Sequence, residues 1–314
     1  MKKFIYSVLF IGLSSVSIQG QSGIKLTDYY NNPIQYNPAY VGVSEGLFAK
    51  VTHSTQWLGF DDAPTTQTLD LQRRFNNEKY AAGISVLNDD FGAVNNFNVE
   101  GNFALHLNAT DDIKFVLGLK AGLNVFSIDY NRLNIYNPEE FVYSNGNLSE
   151  TKPLIGAGFY VYSDNWFVSM STPNLLEHRL EGENAREFYN KIPHMYISAG
   201  YDYRMNSVLL VKSQLTTQIV KGAPLAYLFS SRVIYNNKIG LGAHFQPNSL
   251  VGFMLSYQIK DGFMVNYGND TALSTLSKYS NGNHSFGVSY QFGRPKKCNC
   301  DDDVEIKDRV YMIR

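Results

Sequence analysis

Apolar and polar residues alternate along most of the chain. Between Asn96 and Leu107, Phe97, Val99, Gly101, Phe103, Leu105 and Leu107 share one parity, while Asn98, Glu100, Asn102 and His106 share the other. Between Ile113 and Val125 the apolar parity holds Ile113, Phe115, Leu117, Leu119, Ala121, Leu123 and Val125, opposite Lys114, Gly118, Lys120, Gly122 and Asn124. Similar patterns occupy Tyr80–Val86, Ile155–Val161, Val251–Ile259, Phe263–Tyr267 and Phe286–Phe292. A period of two with aromatic and β-branched residues on one parity predicts strands that bury or cover one face. Helical spacing is sustained nowhere. From Gly46 onward the pattern predicts about fourteen strands.

The connections sort by parity. Tight ones fall at 75–79, 110–112, 163–165, 204–207, 236–238 and 260–262, and alternate with more varied ones at Leu58–Thr65, Asn88–Ala93, Asn131–Pro153, Thr172–Pro193, Gln218–Leu225, Gln246–Ser249 and Asp270–Gly282. Short turns at one rim and longer loops at the other are the mark of an all-β, antiparallel, up-and-down transmembrane barrel. A soluble sandwich or propeller has no reason to sort its connections this way. In a bilayer every backbone polar group must find its partner within the protein, which a closed barrel achieves. The parity rich in Phe, Leu, Val and Tyr is then expected to face lipid. The parity carrying Glu100, Lys114, Lys120, Arg232 and Lys260 is expected to face the lumen or lie near a rim. An even strand number puts both termini on the periplasmic, short-turn side and the long loops outside.

Composition agrees. The 314 residues include 22 Tyr, 20 Phe and 25 Gly but only 18% charged residues, an imbalance suited to a sheet facing an apolar solvent. Net charge is -1 and no basic run stands out, which argues against nucleic acid as a partner. The amino terminus reads "MKKFIYSVLFIGLSSVSIQGQ", a basic start, a short apolar core and small residues: a signal peptide over 1–20. No later run of about 18 apolar residues exists to form a spanning helix. Segment 21–45 is not strand-like and is expected to stay at the periplasmic side or fold in as a plug. The barrel occupies 46–292 and a periplasmic tail 293–314. Cys298 and Cys300 lie in that tail, too close together to staple a fold.

Candidate chemistry is thin. Asp61 and Asp62 are adjacent in an extended loop and point in opposite directions, a poor arrangement for general acid–base work. Asn88-Asp89-Asp90 is expected to be a loop of the same kind, without calcium-ligand spacing. The six histidines are dispersed. A triad brought together only in space leaves no trace in sequence, and lumen hydrogen bonding is the expected role of His106 and His244. No catalytic, cofactor or metal residue is assigned. Glu100, Lys114 and Lys120 either line a solute path or pair to satisfy a plugged interior, and pairing is favoured.

Several stretches resemble a known family. "NPAYVG" at Asn37 to Gly42 precedes the first strand, "QWLGFDDAPTTQTL" follows it, and "LNDDFGAVNN", "FVLGLKAGLNVFSIDYNRL" and the closing "GNHSFGVSYQF" come in order. Together they resemble the PorP/SprF outer-membrane proteins of Bacteroidetes type IX secretion, over roughly Tyr29 to Phe292. The matching positions are Asn37, Pro38, Ala39, Tyr40, Gln56, Trp57, Phe60, Ala63 and Pro64, while Asp62 and Val41 depart from the glycine and alanine common in the family. The resemblance implies a non-enzymatic barrel without cofactor that supports secretion or surface anchoring of an adhesin-like cargo. Its implied partners are the cargo's C-terminal sorting domain and periplasmic components of the secretion or gliding machinery. A passive channel for a small solute is the alternative. In the tail, Val304, Ile306, Val310 and Met312 share one parity, either in a disordered segment or as a strand that docks on a periplasmic partner.

Overall fold

The structure, a computed structural model, describes residues 27–44, 46–75, 79–132, 148–181 and 187–292. The signal peptide and the tail with Val304, Ile306, Val310, Met312 and both cysteines lie outside the described residues. The strands are β1 Leu47–Thr55, β2 Thr65–Arg74, β3 Tyr80–Phe91, β4 Val94–Asn108, β5 Lys114–Ile128, β6 Leu148–Tyr162, β7 Trp166–Thr172, β8 His178–Glu181, β9 Glu187–Lys191, β10 His194–Arg204, β11 Leu209–Val220, β12 Ala226–Tyr235, β13 Ile239–Gln246, β14 Leu250–Lys260, β15 Phe263–Ala272 and β16 Asn283–Phe292. All but β8 and β9 form one closed barrel, each strand antiparallel to its neighbours. Pairing of β1 with β16, from Leu47↔Phe292 to Thr55↔His284, closes it. The expected fourteen-strand up-and-down barrel is the architecture found.

The loops differ from expectation in three places. Asn88–Asp90 is not a loop: β3 runs on to Phe91 and β4 starts at Val94, leaving a two-residue turn at Gly92 and Ala93. Here alternation fails because "NDD" and "NN" put polar residues on both faces of a hairpin that has left the apolar zone. The Thr172–Pro193 connection contains its own hairpin, β8–β9, paired from His178↔Lys191 to Glu181↔Glu187. Strand β6 starts at Leu148, inside the expected Asn131–Pro153 loop, and pairs with β5 over its whole length.

Alternation decides which face each side chain takes. Leu119 is 63% exposed on the outer face while its neighbour Lys120 is 2% exposed inside. Val51, Ile84, Leu123, Phe253, Leu241 and Phe286 extend the outer apolar band around the wall. Leu119 lies roughly 13 Å above the tight-turn end of β5, from a strand rise of about 3.3 Å and a tilt near 40°. Leu119→Arg is therefore expected to lower the unfolding free energy by about 2–4 kcal/mol, read by urea titration of the barrel refolded in vesicles.

The lumen is filled by the chain's own residues before β1. Helical turns α1 Asp28–Asn31 and α2 Pro33–Tyr36 are followed by a 3-10 turn at Pro38–Tyr40. Asn-Pro pairs start the last two, because proline preforms the first helical φ and has no amide hydrogen to leave unpaired. Tyr29, Ile34, Tyr36, Ala39, Tyr40 and Val41 form one apolar cluster with wall residues Ala81, Ala104, Val116, Tyr160, Tyr162, Tyr196 and Leu228.

Candidate functional site

The plug sits on a row of small residues. Ala81 pairs with Ala104, Ala104 with Gly118, Gly118 with Gly158, and Gly158 with Ser171, so one belt of minimal side chains crosses β3 to β7 on the inner face. The Asn37–Tyr40 turn lies on this belt. A Cβ on Gly118 would overlap the backbone of Pro38 and Ala39, and one on Gly158 would overlap the Asn37 side chain. Asn37, with no exposed surface, accepts from the Ala39 amide at 2.9 Å and donates its Nδ2 to the Phe159 carbonyl at 3.3 Å. It thus caps the turn and ties it to β6 at once. Tyr40 lies against Tyr160, ring centroids 4.5 Å apart.

Polar groups latch the rest of the plug to the wall on every side. Lys50 of β1 donates to the Asn31 carbonyl, and Thr52 donates to Asn32 Oδ1 at 3.1 Å. Gln35 donates its Nε2 to Asp70 of β2 at 2.7 Å, and the Gly42 amide donates to Gln72 Oε1 at 2.9 Å. Lys120 of β5 donates to the Gln35 carbonyl at 2.8 Å while forming an ion pair with Glu100 at 2.5 Å. His106 Nε2 meets the Val41 carbonyl at 2.8 Å, and the Tyr29 hydroxyl meets Ser169 Oγ of β7 at 3.1 Å. The Arg232 guanidinium of β12 stands 4.5 Å over the Tyr30 ring, with Gly242 and Gly240 as its β13 neighbours leaving room for its stem. Thr27 donates to Asp270 of β15 at 3.1 Å, whose other oxygen meets His244 Nε2 at 2.6 Å. Small voids lie beside the plug, of about 30 Å³ at Tyr29, Tyr30 and Trp166 and about 20 Å³ at Ile34, Val43 and Phe48.

The long-loop rim has a different character. Gln56 opens the β1–β2 loop with its amide on the Pro64 carbonyl, 2.8 Å. Trp57 donates its amide to Asn283 Oδ1 at 3.0 Å, and Leu58 exchanges backbone bonds with Asn281 and Gly282. Trp57 and Asp62 both take the left-handed conformation, with φ of 49° and 52°, which is strained for a bulky indole. Around them Leu58, Phe60, Phe91 and Tyr279 are exposed, and Trp57 meets the Phe91 ring edge-on at 6.2 Å. Arg132 bridges Asp62 at 2.9 Å and Asp90 at 3.5 Å, and the hydrogen bond it donates to Asp62 raises its already high pKa. Both carboxylates and the guanidinium are well solvated. Arg132→Ala is accordingly expected to leave the urea midpoint of unfolding unchanged, since exposed pairs contribute little.

The sequence candidates thus separate into three places. Asn37, Pro38, Ala39 and Tyr40 form the plug seat; Gln56, Trp57, Phe60, Ala63 and Pro64 shape the first long loop; Glu100 and Lys120 pair inside the wall. Lys114 lies half-buried at the tight-turn end of β5, away from that pair. Asp61 is exposed, and no group of three or more His, Cys, Asp or Glu among the described residues is arranged to hold a metal. Sequence reasoning missed the latches of Thr27, Asn31, Asn32 and Gln35 and the seat glycines Gly118 and Gly158. The trace the two glycines leave is small residues on the polar parity of successive strands, which becomes a belt only once the register is known.

A closed antiparallel barrel with an apolar outer band and a polar, filled lumen is an outer-membrane β-barrel. Residues 18–290 match the family described as type IX secretion system membrane protein PorP/SprF, and the chain belongs to that family. Its place is the outer membrane and its setting is type IX secretion. The CymD monoaromatic hydrocarbon channel is similar in structure, with a TM-score of 0.52 at 11% identity over 88% of this chain and 95% of that one. The toluene transporter TbuX of Ralstonia pickettii has a TM-score of 0.50 at 11% identity, over 82% of this chain and 92% of that one. At such identity the likeness shows the fold alone. No curated protein matches the chain.

Proposed function

We propose that the barrel works without a chemical step, as an anchor in type IX secretion that holds a secreted, adhesin-like cargo through the cargo's C-terminal sorting domain. The observation that carries this is the plug: residues 27–44 are latched to the wall all round, so the lumen is invested in holding chain rather than in passing solute. The long-loop rim faces the cell exterior and the tight-turn rim the periplasm. Exposed Trp57, Leu58, Phe60 and Tyr279, held on hydrogen-bonded loops, supply the apolar contact surface a protein partner needs. The tight turns and the tail with Val304, Ile306, Val310 and Met312 couple to periplasmic components of the secretion or motility machinery.

A gentle detergent pull-down from the native outer membrane, with mass spectrometry of what is retained, tests this. Recovery of a large secreted protein with a C-terminal sorting domain together with periplasmic components is the expected result. A second reading, a passive channel for a small solute, draws on the names of the similar CymD and TbuX barrels. A barrel recovered alone that conducts in planar bilayers would establish the channel instead.

A further inference from the structure

Strand β6 outruns the strand beside it. Its ladder with β5 holds from Lys114↔Tyr162 to Ile128↔Leu148, but its ladder with β7 begins only at Ala157↔Thr172. Among the described strands this is the longest overhang. Past Thr172 the chain gives that edge the Leu175 amide, which donates to the Ile155 carbonyl at 2.7 Å. It then turns on itself: the Asn174 side chain accepts from the Leu176 amide at 3.2 Å and donates to the Leu176 carbonyl at 3.0 Å. Beyond it β8 and β9 form a sheet of their own, not bonded to the barrel. In an antiparallel pair, alternate residues turn both backbone groups to the same side. Ile155 faces away from β5, so Pro153, Thr151 and Ser149 do too. Pro153 is tolerated in mid-strand for that reason, because the β5 ladder does not use its missing amide. On the outer face, apolar Leu123 and Ile155, 55% and 47% exposed, give way to Thr151 and Ser149. The uncovered edge thus starts where the apolar band stops, as it must, since backbone in lipid needs its partners.

We propose that the Leu148–Pro153 edge of β6 is where the secreted partner docks, its sorting domain adding an extended strand to the barrel wall above the membrane. Ser149 and Thr151 each present an amide and a carbonyl, and Pro153 a carbonyl, repeating every two residues, about 7 Å. Extended polypeptide matches such a row group for group, which a lipid headgroup or a small solute does not. The flanking side chains describe the strand that fits. On the outer face Ser149 and Thr151 are small and exposed, and suit β-branched neighbours. On the inner face Glu150 and Lys152 pair with each other, so the added strand need bring no charge. Pro153 sets its lower limit. With no amide to donate there, the edge stops recruiting backbone before the added strand would enter lipid.

The inference deepens the anchor reading and rests on it, and one experiment separates the two. Thr151→Pro deletes an edge amide and puts a ring in the path of an added strand. It leaves the β5 ladder whole, because position 151 has the parity of Pro153. Thr151→Val keeps both the amide and the side-chain shape. Each full chain is tagged, expressed in its own cells, checked for a folded barrel by heat-modifiable mobility, and recovered in mild detergent. The sorting-domain protein retained is then quantified by mass spectrometry. Thr151→Val is expected to retain as much as the unaltered chain, and Thr151→Pro about tenfold less, as the loss of one or two backbone bonds predicts. Equal retention by all three overturns the inference and leaves the anchor standing, whereas retention by none overturns both. Loss in both variants would trace the contact to the Thr151 hydroxyl and overturn strand addition. Untagged copies of this chain, recovered with the tagged one and lost in Thr151→Pro, would make the occupant a second copy and overturn the assignment to a secreted partner. Ser149→Pro, of the same parity, takes the place of Thr151→Pro if that variant does not fold.

Discussion

Gly118→Val is expected to unseat the plug and turn a closed barrel into a conducting one. The new side chain would stand where the backbone of Pro38 and Ala39 now lies, and backbone held by a capped turn cannot shift by a few tenths of an ångström to admit it. The strand itself tolerates valine, which suits a pleated sheet. The strain therefore falls on the plug, whose remaining latches each contribute about 0.5–1.5 kcal/mol, or about 1.5–3 where Lys50, Lys120, Asp70 or Asp270 is a partner. With the segment displaced, a fourteen-stranded wall encloses a lumen between that of a filled eight-stranded barrel and an open porin, and single-channel conductance should rise by about tenfold or more. Gly101→Val is the control, because Gly101 faces outward and a Cβ there meets only the Ala121 carbonyl at an ordinary 3.7 Å. A folded Gly118→Val barrel that remained as closed as the unaltered protein would refute the seat.

Lys120→Met should destabilise the barrel by about 3–5 kcal/mol, the usual consequence of stranding one partner of a buried ion pair. Lys120 is 2% and Glu100 6% exposed, the two are 2.5 Å apart, and Lys120 also holds the Gln35 carbonyl of the plug. Removing the cation leaves a carboxylate in the wall with no counter-charge and the plug with one latch fewer. Adding Glu100→Leu should restore most of the loss, since an apolar pair of similar volume avoids the desolvation cost that the ions bear. Urea titrations of the single and double variants in vesicles measure both. A Lys120→Met protein as stable as the original, or a double variant worse than the single, would show that the pair is not the element that matters.

The wall was readable because a strand in a bilayer leaves little choice. Phe97, Val99, Phe103 and Leu119 alternate with Asn98, Glu100, Asn102 and Lys120, and the slip of one residue would put charges into lipid. Asn88–Asp90 was misread for the complementary reason. Beyond the apolar zone alternation has no cause, and β3 and β4 continue there on backbone pairing and on side-chain bonds such as that from Asn95 to Asn88. The candidate site divides in the same way. "NPAY" and "QW" stand out in the sequence as motifs, yet nothing local says that the first rests on Gly118 and Gly158 or that the second is bonded to Asn283, more than 220 positions away.

By itself, then, the sequence determined the barrel: its strand count, its inner and outer faces and the sorting of its rims follow from period-two patterning and turn residues, which act between neighbours in the chain. It also determined, through Asn37-Pro38, that a capped turn precedes the first strand. Only the tertiary structure decided that this turn lies inside the wall, that Glu100 meets Lys120 and Thr27 meets Asp270, and that the chain fills its own lumen. Those contacts join residues far apart in sequence, and each depends on strand register and closure of the cylinder, which no local pattern encodes.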